Sequence, residues 1–375
     1  MHNANLWKRI GGAVGLKFVL LVAIAQAAIK LIPYDGYFSF PDILDRYQLP
    51  LRLQSLANLD GVHYLRIASS GYYDNGQAFF PVYPLLMKVL GWLVLNQHVI
   101  AGLVISQLAF AGGLYLLYKT LHPFLKKQTW WVVVFLLAYP TAFFFQSVYT
   151  EALFFFEVAA TFYFISRKQF AVAAAIAAVA SATRIQGVFL CIPFLVLFWQ
   201  QKQGKYLGYA AISVLGLLAY MGYLWLSVGD PLAFFHAQSA FGAGRSTHIV
   251  TLPQVYVRYA KILFLSQHNF GYWLAVLECV SFSIACAASL WECLRRWKTK
   301  EWLLVSLALF SLANIVLPTV TGTFLSEQRF ALLALSQFVF LATIPRTWIK
   351  VLLATVFILL QIILFSFFFQ GKFVG

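Results

Sequence analysis

The chain has 375 residues, 62% of them hydrophobic and 10% charged, with a formal net charge of +15. That is more apolar surface than a soluble domain of this length can bury in one core, which excludes a soluble globular protein and indicates an integral membrane protein. The cationic excess would suggest a nucleic-acid partner in a soluble protein, but here Lys and Arg fall in short clusters between apolar segments, where they set topology and meet anionic headgroups, so no nucleic acid is expected.

Taken in chain order, apolar runs predict spans near residues 10–32, 98–118, 129–147, 150–166, 170–184, 186–199, 206–228, 271–294, 301–320, 328–345 and 348–369. Most approach the roughly 20 residues that a spanning helix needs. Trp7-Lys8-Arg9 precede the first run, and no small-residue cleavage site follows it. The run 79–95 is ambiguous. If it crossed the membrane, the basic loop from Lys119 to Lys127 would fall outside and every later loop would invert. If it does not, the basic clusters Lys8-Arg9, Lys119 to Lys127, Arg167-Lys168, Lys202 to Lys205, Arg295 to Lys300 and Arg346 to Lys350 all fall on one side. The positive-inside rule therefore predicts that 79–95 lies along the outer interface as a helix opened by Pro81 and Pro84.

The expectation is an all-α polytopic membrane protein of about 11 transmembrane helices, one domain over residues 1–375. A long first external loop spans 33–97 and carries interfacial helices; a second large one spans 229–270. Five of the 12 acidic residues (Asp35, Asp42, Asp45, Asp60 and Asp74) lie in the first. The external face also receives 146–151, 183–187 and 321–329, so the polar insertions converge on the side of Asp60. Cys191, Cys279, Cys286 and Cys293 sit within or at the ends of apolar segments and read as packing residues.

Several of these insertions form an ordered set of motifs: Asp60-Gly-Val-His63-Tyr64-Leu-Arg-Ile-Ala-Ser-Ser-Gly71-Tyr72 with Phe79-Phe80-Pro81-Val-Tyr83-Pro84, then Tyr139-Pro140 through Tyr149-Thr150-Glu151, Ala182-Thr183-Arg184-Ile-Gln-Gly187, and Gly229-Asp230-Pro231-Leu-Ala-Phe234 with Gln238. The set resembles the PIG-V type mannosyltransferases (the GPI mannosyltransferase 2 family) over most of the chain. Leu59 stands where that family often has an aromatic residue. The resemblance implies a GT-C glycosyltransferase fold, an inverting transfer on the outer or luminal face, and a donor of the dolichyl- or polyprenyl-phosphomannose kind. The expected partners are that polyprenyl-phosphate sugar donor, a lipid or glycan acceptor, and membrane lipids.

Displacing a lipid phosphate from an anomeric carbon needs a base for the acceptor hydroxyl and cations for the departing phosphate. Asp60 is the candidate base; the rival reading is a helix N-cap, which Arg66 could pair with. His63 and Tyr64 follow on the same segment as candidate substrate contacts. Arg184 and Arg329, at the outer ends of spans, are the candidate phosphate ligands, with snorkelling, or a pair with Glu327 for Arg329, as the plain alternative. Glu151 either orients acceptor hydroxyls, pairs with an external arginine or simply begins a helix, Asp230 positions a loop or starts a turn, and Arg245 either clamps a charged substrate or is solvated. No Asp-x-Asp pair occurs, which predicts a lipid-monophosphate donor, no metal and no cofactor.

The other reading from the sequence is a transporter of a lipid-linked sugar or lipid; a silent scaffold of a glycosylation complex is a third. Short loops on the basic side fit a prokaryotic plasma membrane, with the endoplasmic reticulum membrane as the eukaryotic counterpart.

Overall fold

The computed structural model describes residues 2–241, 246 and 248–375. No strand occurs among the described residues. Helices α1 (His2–Leu31), α2 (Asp60–Ser70), α3 (Val82–Leu93), α4 (His98–Leu125), α5 (Thr129–Ala138), α6 (Glu151–Ser166), α7 (Phe170–Thr183), α8 (Ile192–Gln201), α9 (Lys205–Ser213), α10 (Leu215–Val228), α11 (Leu252–Leu265), α12 (Phe270–Lys298), α13 (Trp302–Thr319), α14 (Leu335–Ala342) and α15 (Thr347–Phe369) form the frame. The protein is a multi-pass, all-α membrane protein. By length and apolarity five helical runs can cross a bilayer: α1, the run from α4 into α5, α12, α13 and α15; α9 and α10, bent by 42°, supply a sixth.

The run from α4 into α5 reverses in the middle. Lys126 takes a left-handed φ of 51°, and Trp130 returns against Tyr118 with ring centroids 4.9 Å apart. Helix α3, at 12 residues, is about 18 Å long and too short to cross. It lies antiparallel to the first turns of α4: the Tyr83 hydroxyl donates to the Gly102 carbonyl, and a side chain at Gly91 would strike the His98 ring.

Two of the runs expected as single spans are broken by irregular segments buried in the protein. The first, 129–147, ends its helix at Ala138 and continues as a 3₁₀ turn, Ala142–Gln146, in which every side chain is buried. The second, 328–345, is a one-turn helix Glu327–Phe330, a 3₁₀ turn Ala331–Leu333 and the short α14, almost all of it buried. Both are apolar because they fill the protein interior, where irregular backbone is tolerated inside a membrane protein.

Ionisable side chains inside the bundle brace these irregular segments. The Lys17 ammonium on α1 donates to the Ala142 carbonyl at 2.9 Å. On α6, the Glu157 carboxylate accepts from Thr183 Oγ1 at 2.8 Å, where α7 ends. Glu278 on α12 accepts from the Tyr259 hydroxyl and from the backbone N–H of Ser326.

Contacts sort the basic turns to one end of the bundle. Trp199, Trp297 and Trp302 form one aromatic group, Arg295 reaches Thr343, and the Lys350 ammonium lies over Trp131. We call this the inner end; the segments rich in carboxylates and tyrosines gather at the outer end.

Candidate active site

An outer cavity of about 640 Å³ opens between residues 38–80, the start of α6, the end of α7, the 234–241 segment and the 317–330 segment. Its wall carries Asp60, His63, Tyr64, Glu151, Arg184 and Arg329, so six of the residues singled out in the sequence meet in one place.

Four of them form a continuous charged chain. Arg329 Nη1 donates to Asp60 Oδ2 at 2.7 Å. The Arg329 Nε lies 3.4 Å from Glu151 Oε1, an ion-pair contact without hydrogen-bond geometry. The same Glu151 oxygen accepts from Arg184 Nη1 at 2.6 Å, and Arg184 also donates to Thr150 Oγ1 at 3.0 Å. Two carboxylates and two guanidiniums leave the chain formally neutral. The Glu151 side chain is only 2% exposed and that of Asp60 33%, so the charge available to a ligand is concentrated at the Asp60 end. Both arginines are backed by aromatic rings, Arg184 by Phe154 and Phe330, Arg329 by Phe144, Tyr149 and Phe330.

Local structure explains how each group reaches the cavity. Asp60 is the first residue of α2, and the N-cap position belongs to Leu59, at φ 60° and ψ −118°. The cap reading of Asp60 is therefore corrected, since a cap at Asp60 would turn its carboxylate onto its own helix. The preceding Asn58 is pinned by its amide, which donates to the Phe368 and Phe369 carbonyls, and by its own carbonyl, which accepts from Tyr149. The Asp60 N–H in turn donates to the Tyr149 hydroxyl at 3.2 Å. A left-handed non-glycine residue held at a ligand-facing turn is the kind of stored strain that functional sites carry.

Arg184 owes its position to the sudden end of α7, where it adopts an extended conformation before a 3₁₀ turn, Ile185–Cys191. That turn lies against α7 so tightly that a Cβ at Gly187 would be 2.3 Å from the Ala180 carbonyl oxygen. Only glycine permits the approach.

His63 is buried and stacks on Phe79 with centroids 4.6 Å apart. Its Nδ1 is hydrogen-bonded to the Tyr73 hydroxyl. Burial pushes the imidazole below its ordinary value of 6.5, with Asp60 opposing and Arg66 assisting, and burial pushes the Tyr73 phenol up to about 12. Both rings are thus neutral near pH 7. The Tyr64 hydroxyl lies 3.4 Å from Thr150 Oγ1. Arg66 does not pair with Asp60 in the way the cap reading allowed; its guanidinium is sandwiched between the Phe40 and Tyr73 rings at 4.1 and 3.8 Å.

Not every expected residue arrives. Asp230 is absent from the cavity wall. Its carboxylate accepts from the Leu232 N–H at 2.9 Å and meets His236 Nδ1 at 2.7 Å, and those two contacts hold it below the ordinary carboxylate range. The turn reading is the one its geometry fits. Arg245 lies outside the described residues. Glu327 does not pair with Arg329; it is wholly buried, and neither of its carboxylate oxygens has a hydrogen-bond partner among the described residues.

Sequence reasoning gave no role to Tyr149, Thr150 or Tyr73, which hold the turn at Asp60, Arg184 and His63 in place; the only sequence signal of Tyr149 and Thr150 was membership of the motif that ends at Glu151, and Tyr73, one residue past the motif around Asp60, carried none. Among the described residues no group of three or more His, Cys, Asp or Glu is placed to hold a metal.

No family model matches the chain, and no curated protein matches it. Among solved structures it is similar to the crystal structure of the Archaeoglobus fulgidus oligosaccharyltransferase in complex with Zn and sulfate, with a TM-score of 0.50 and 13% identity. The match covers 96% of this chain and 53% of that one, so the chain spans about half the length of the protein it resembles. At this identity the likeness speaks for the fold alone.

Proposed function

We propose that the protein is an inverting GT-C glycosyltransferase that moves a sugar from a polyprenyl-phosphate carrier to a lipid or glycan acceptor at the outer face of the membrane. The sugar is mannose if the motif resemblance to the PIG-V type mannosyltransferases extends to the donor. The whole chain, 1–375, acts as one transmembrane unit whose external segments 33–97 and 229–270 wall the site. The observation that carries this reading is the chain from Asp60 through Arg329 and Glu151 to Arg184, which sets a carboxylate beside paired guanidiniums at the wall of a cavity large enough for a sugar phosphate.

In this reading the carrier phosphate approaches Arg329 and Arg184 and competes with the carboxylates for their N–H groups. Arg329 shifts its hydrogen bond from Asp60 to a phosphate oxygen, and the released carboxylate accepts the proton of the acceptor hydroxyl. The acceptor oxygen then bonds to the anomeric carbon from the face opposite the phosphate, and the carbon–oxygen bond to phosphate breaks. The electron pair leaves on a polyprenyl phosphate stabilised by the two arginines. Glu151 stays buried and keeps both guanidiniums aimed. The stacked, neutral His63, with Phe79 and Tyr73, offers an aromatic wall and a hydrogen-bonding edge to the sugar.

The test is transfer of label from radiolabelled polyprenyl-phosphomannose to a membrane lipid extract by the purified protein in lipid, wild type against Asp60→Asn. A product made by wild type alone supports the assignment, and full activity of a folded Asp60→Asn protein removes Asp60 as the base. The transporter reading draws on Lys17, Glu157 and Glu278, because ionisable residues inside spans often line transport paths. Each of these instead braces a break in helical backbone. Movement of the donor across vesicles without a new glycosidic bond would favour transport.

A further inference from the structure

A second cavity, of about 450 Å³, lies at the inner end of the bundle and belongs to none of the chemistry above. The two cavities share helices α6 and α7. Glu151 at the start of α6 lines the outer one, and Ser166 at its end lines the inner one; Phe170 and Thr183 repeat the relation in α7. Sixteen residues of α6 separate the two by about 24 Å of helical rise. The inner cavity is therefore a separate site on the opposite side of the membrane.

Its lining is apolar and aromatic in the depth and cationic at the mouth. Phe124, Phe170 and Trp302 contribute to the walls, while Lys119, Arg167 and Lys168 come together from the ends of two different helices. Arg167 and Lys168 are exposed and Lys119 is half-buried. No carboxylate lines the cavity, and the nearby Glu301 is committed to Arg296. The negative end of α6 and the positive end of α7 meet here and offset one another, so the side chains set the sign of the field. In addition, the Gln200 side-chain N–H₂ is buried in the wall without a hydrogen-bond partner among the described residues. An unpartnered buried donor is costly unless a ligand accepts from it.

We propose that this cavity binds one anionic phospholipid of the inner leaflet. Its phosphodiester sits among Lys119, Arg167 and Lys168, one phosphate oxygen accepts from the Gln200 amide, and one acyl chain lies along Phe124, Phe170 and Trp302. Cation clusters at a membrane surface attract anionic headgroups generally; here the apolar depth and the buried donor add a defined seat. The proposal does not depend on the transferase reading.

The experiment is native mass spectrometry of the detergent-purified protein titrated with phosphatidylglycerol, phosphatidylcholine or inorganic phosphate. Wild type is expected to retain one phosphatidylglycerol at least ten-fold more tightly than phosphatidylcholine, and inorganic phosphate at millimolar concentration is expected not to displace it. The variant Lys119→Gln/Arg167→Gln/Lys168→Gln should lose that lipid by ten-fold or more, and Gln200→Met, which keeps every charge, by several-fold. Lys126→Gln/Lys127→Gln removes two cations from the same face outside the cavity and should bind as wild type does. Equal loss in that control, equal retention of phosphatidylcholine, displacement by inorganic phosphate, or wild-type binding by a folded triple variant each overturns the proposal.

Discussion

Arg329 and Asp60, 269 positions apart in the chain, meet through a 2.7 Å hydrogen bond between guanidinium and carboxylate at the wall of the outer cavity. The pair ties the 321–329 segment to the 33–97 segment. Substituting Arg329 by Lys keeps the charge but loses the forked geometry that touches Asp60 and Glu151 together. We expect Arg329→Lys to reduce transfer about 10²-fold or more, within the range of electrostatic transition-state contributions, as measured by initial rates at saturating donor.

Glu151 is the buried centre of the charged chain, and its loss leaves two guanidiniums without their shared partner. Glu151→Gln should destabilise the protein by about 3–5 kcal/mol, the usual cost of breaking a buried pair. Adding Arg184→Gln should then cost less than it does in the wild-type background, with a coupling of roughly 1–3 kcal/mol. Thermal unfolding of the four proteins in one detergent closes the cycle, and strict additivity would show that the pair is not coupled.

Gly187 is expected to reject any side chain. A Cβ 2.3 Å from the Ala180 carbonyl oxygen forces the 3₁₀ turn away from α7, and Gly187→Ala should lower stability by about 1–3 kcal/mol, as overpacking does. Because Arg184 sits at that junction, donor affinity should fall together with the melting temperature.

His63 predicts a pH dependence of stability. Burial holds its folded-state value below the 6.5 of the unfolded chain, so as pH falls through 6.5 the unfolded state takes up a proton first and stability declines until the folded value is passed. Melting temperatures measured between pH 7.5 and 5 should slope downward with acidity, and His63→Gln should flatten that slope while other groups continue to contribute. An unchanged slope in the variant would place His63 outside the titration.

Asp230 is exposed, turned to His236 and outside the cavity wall. Asp230→Ala should leave transfer within about three-fold of wild type, as surface substitutions do. A large loss of activity would restore it to the site.

The convergence of Asp60, Glu151, Arg184 and Arg329 was legible because the basic clusters fixed the topology and the topology put these residues on one face. Their pairing was legible only in part. A pair between Glu151 and an external arginine is one reading of the sequence, and Arg184 and Arg329 both supply it; but nothing in a linear pattern tells Arg329 to choose Asp60 over its near neighbour Glu327. The broken runs around Phe143-Phe144-Phe145 and Leu332-Leu333 were missed for a different reason. Hydropathy scores a side chain against water, and a segment buried in protein reads the same as one facing lipid. The wholly buried triple phenylalanine is the former. The left-handed Leu59 also left no trace, because leucine carries none of the turn signals that glycine or asparagine would.

Helices α6 and α7 are 16 and 14 residues long, about 24 and 21 Å, against a hydrocarbon core of about 30 Å. Helix α6 is enclosed by protein, so of the two only α7 turns a face outward, and lipid beside that face must thin or tilt to meet it. Reconstituted into lipids of increasing acyl length, the protein is expected to work best where the bilayer is thin.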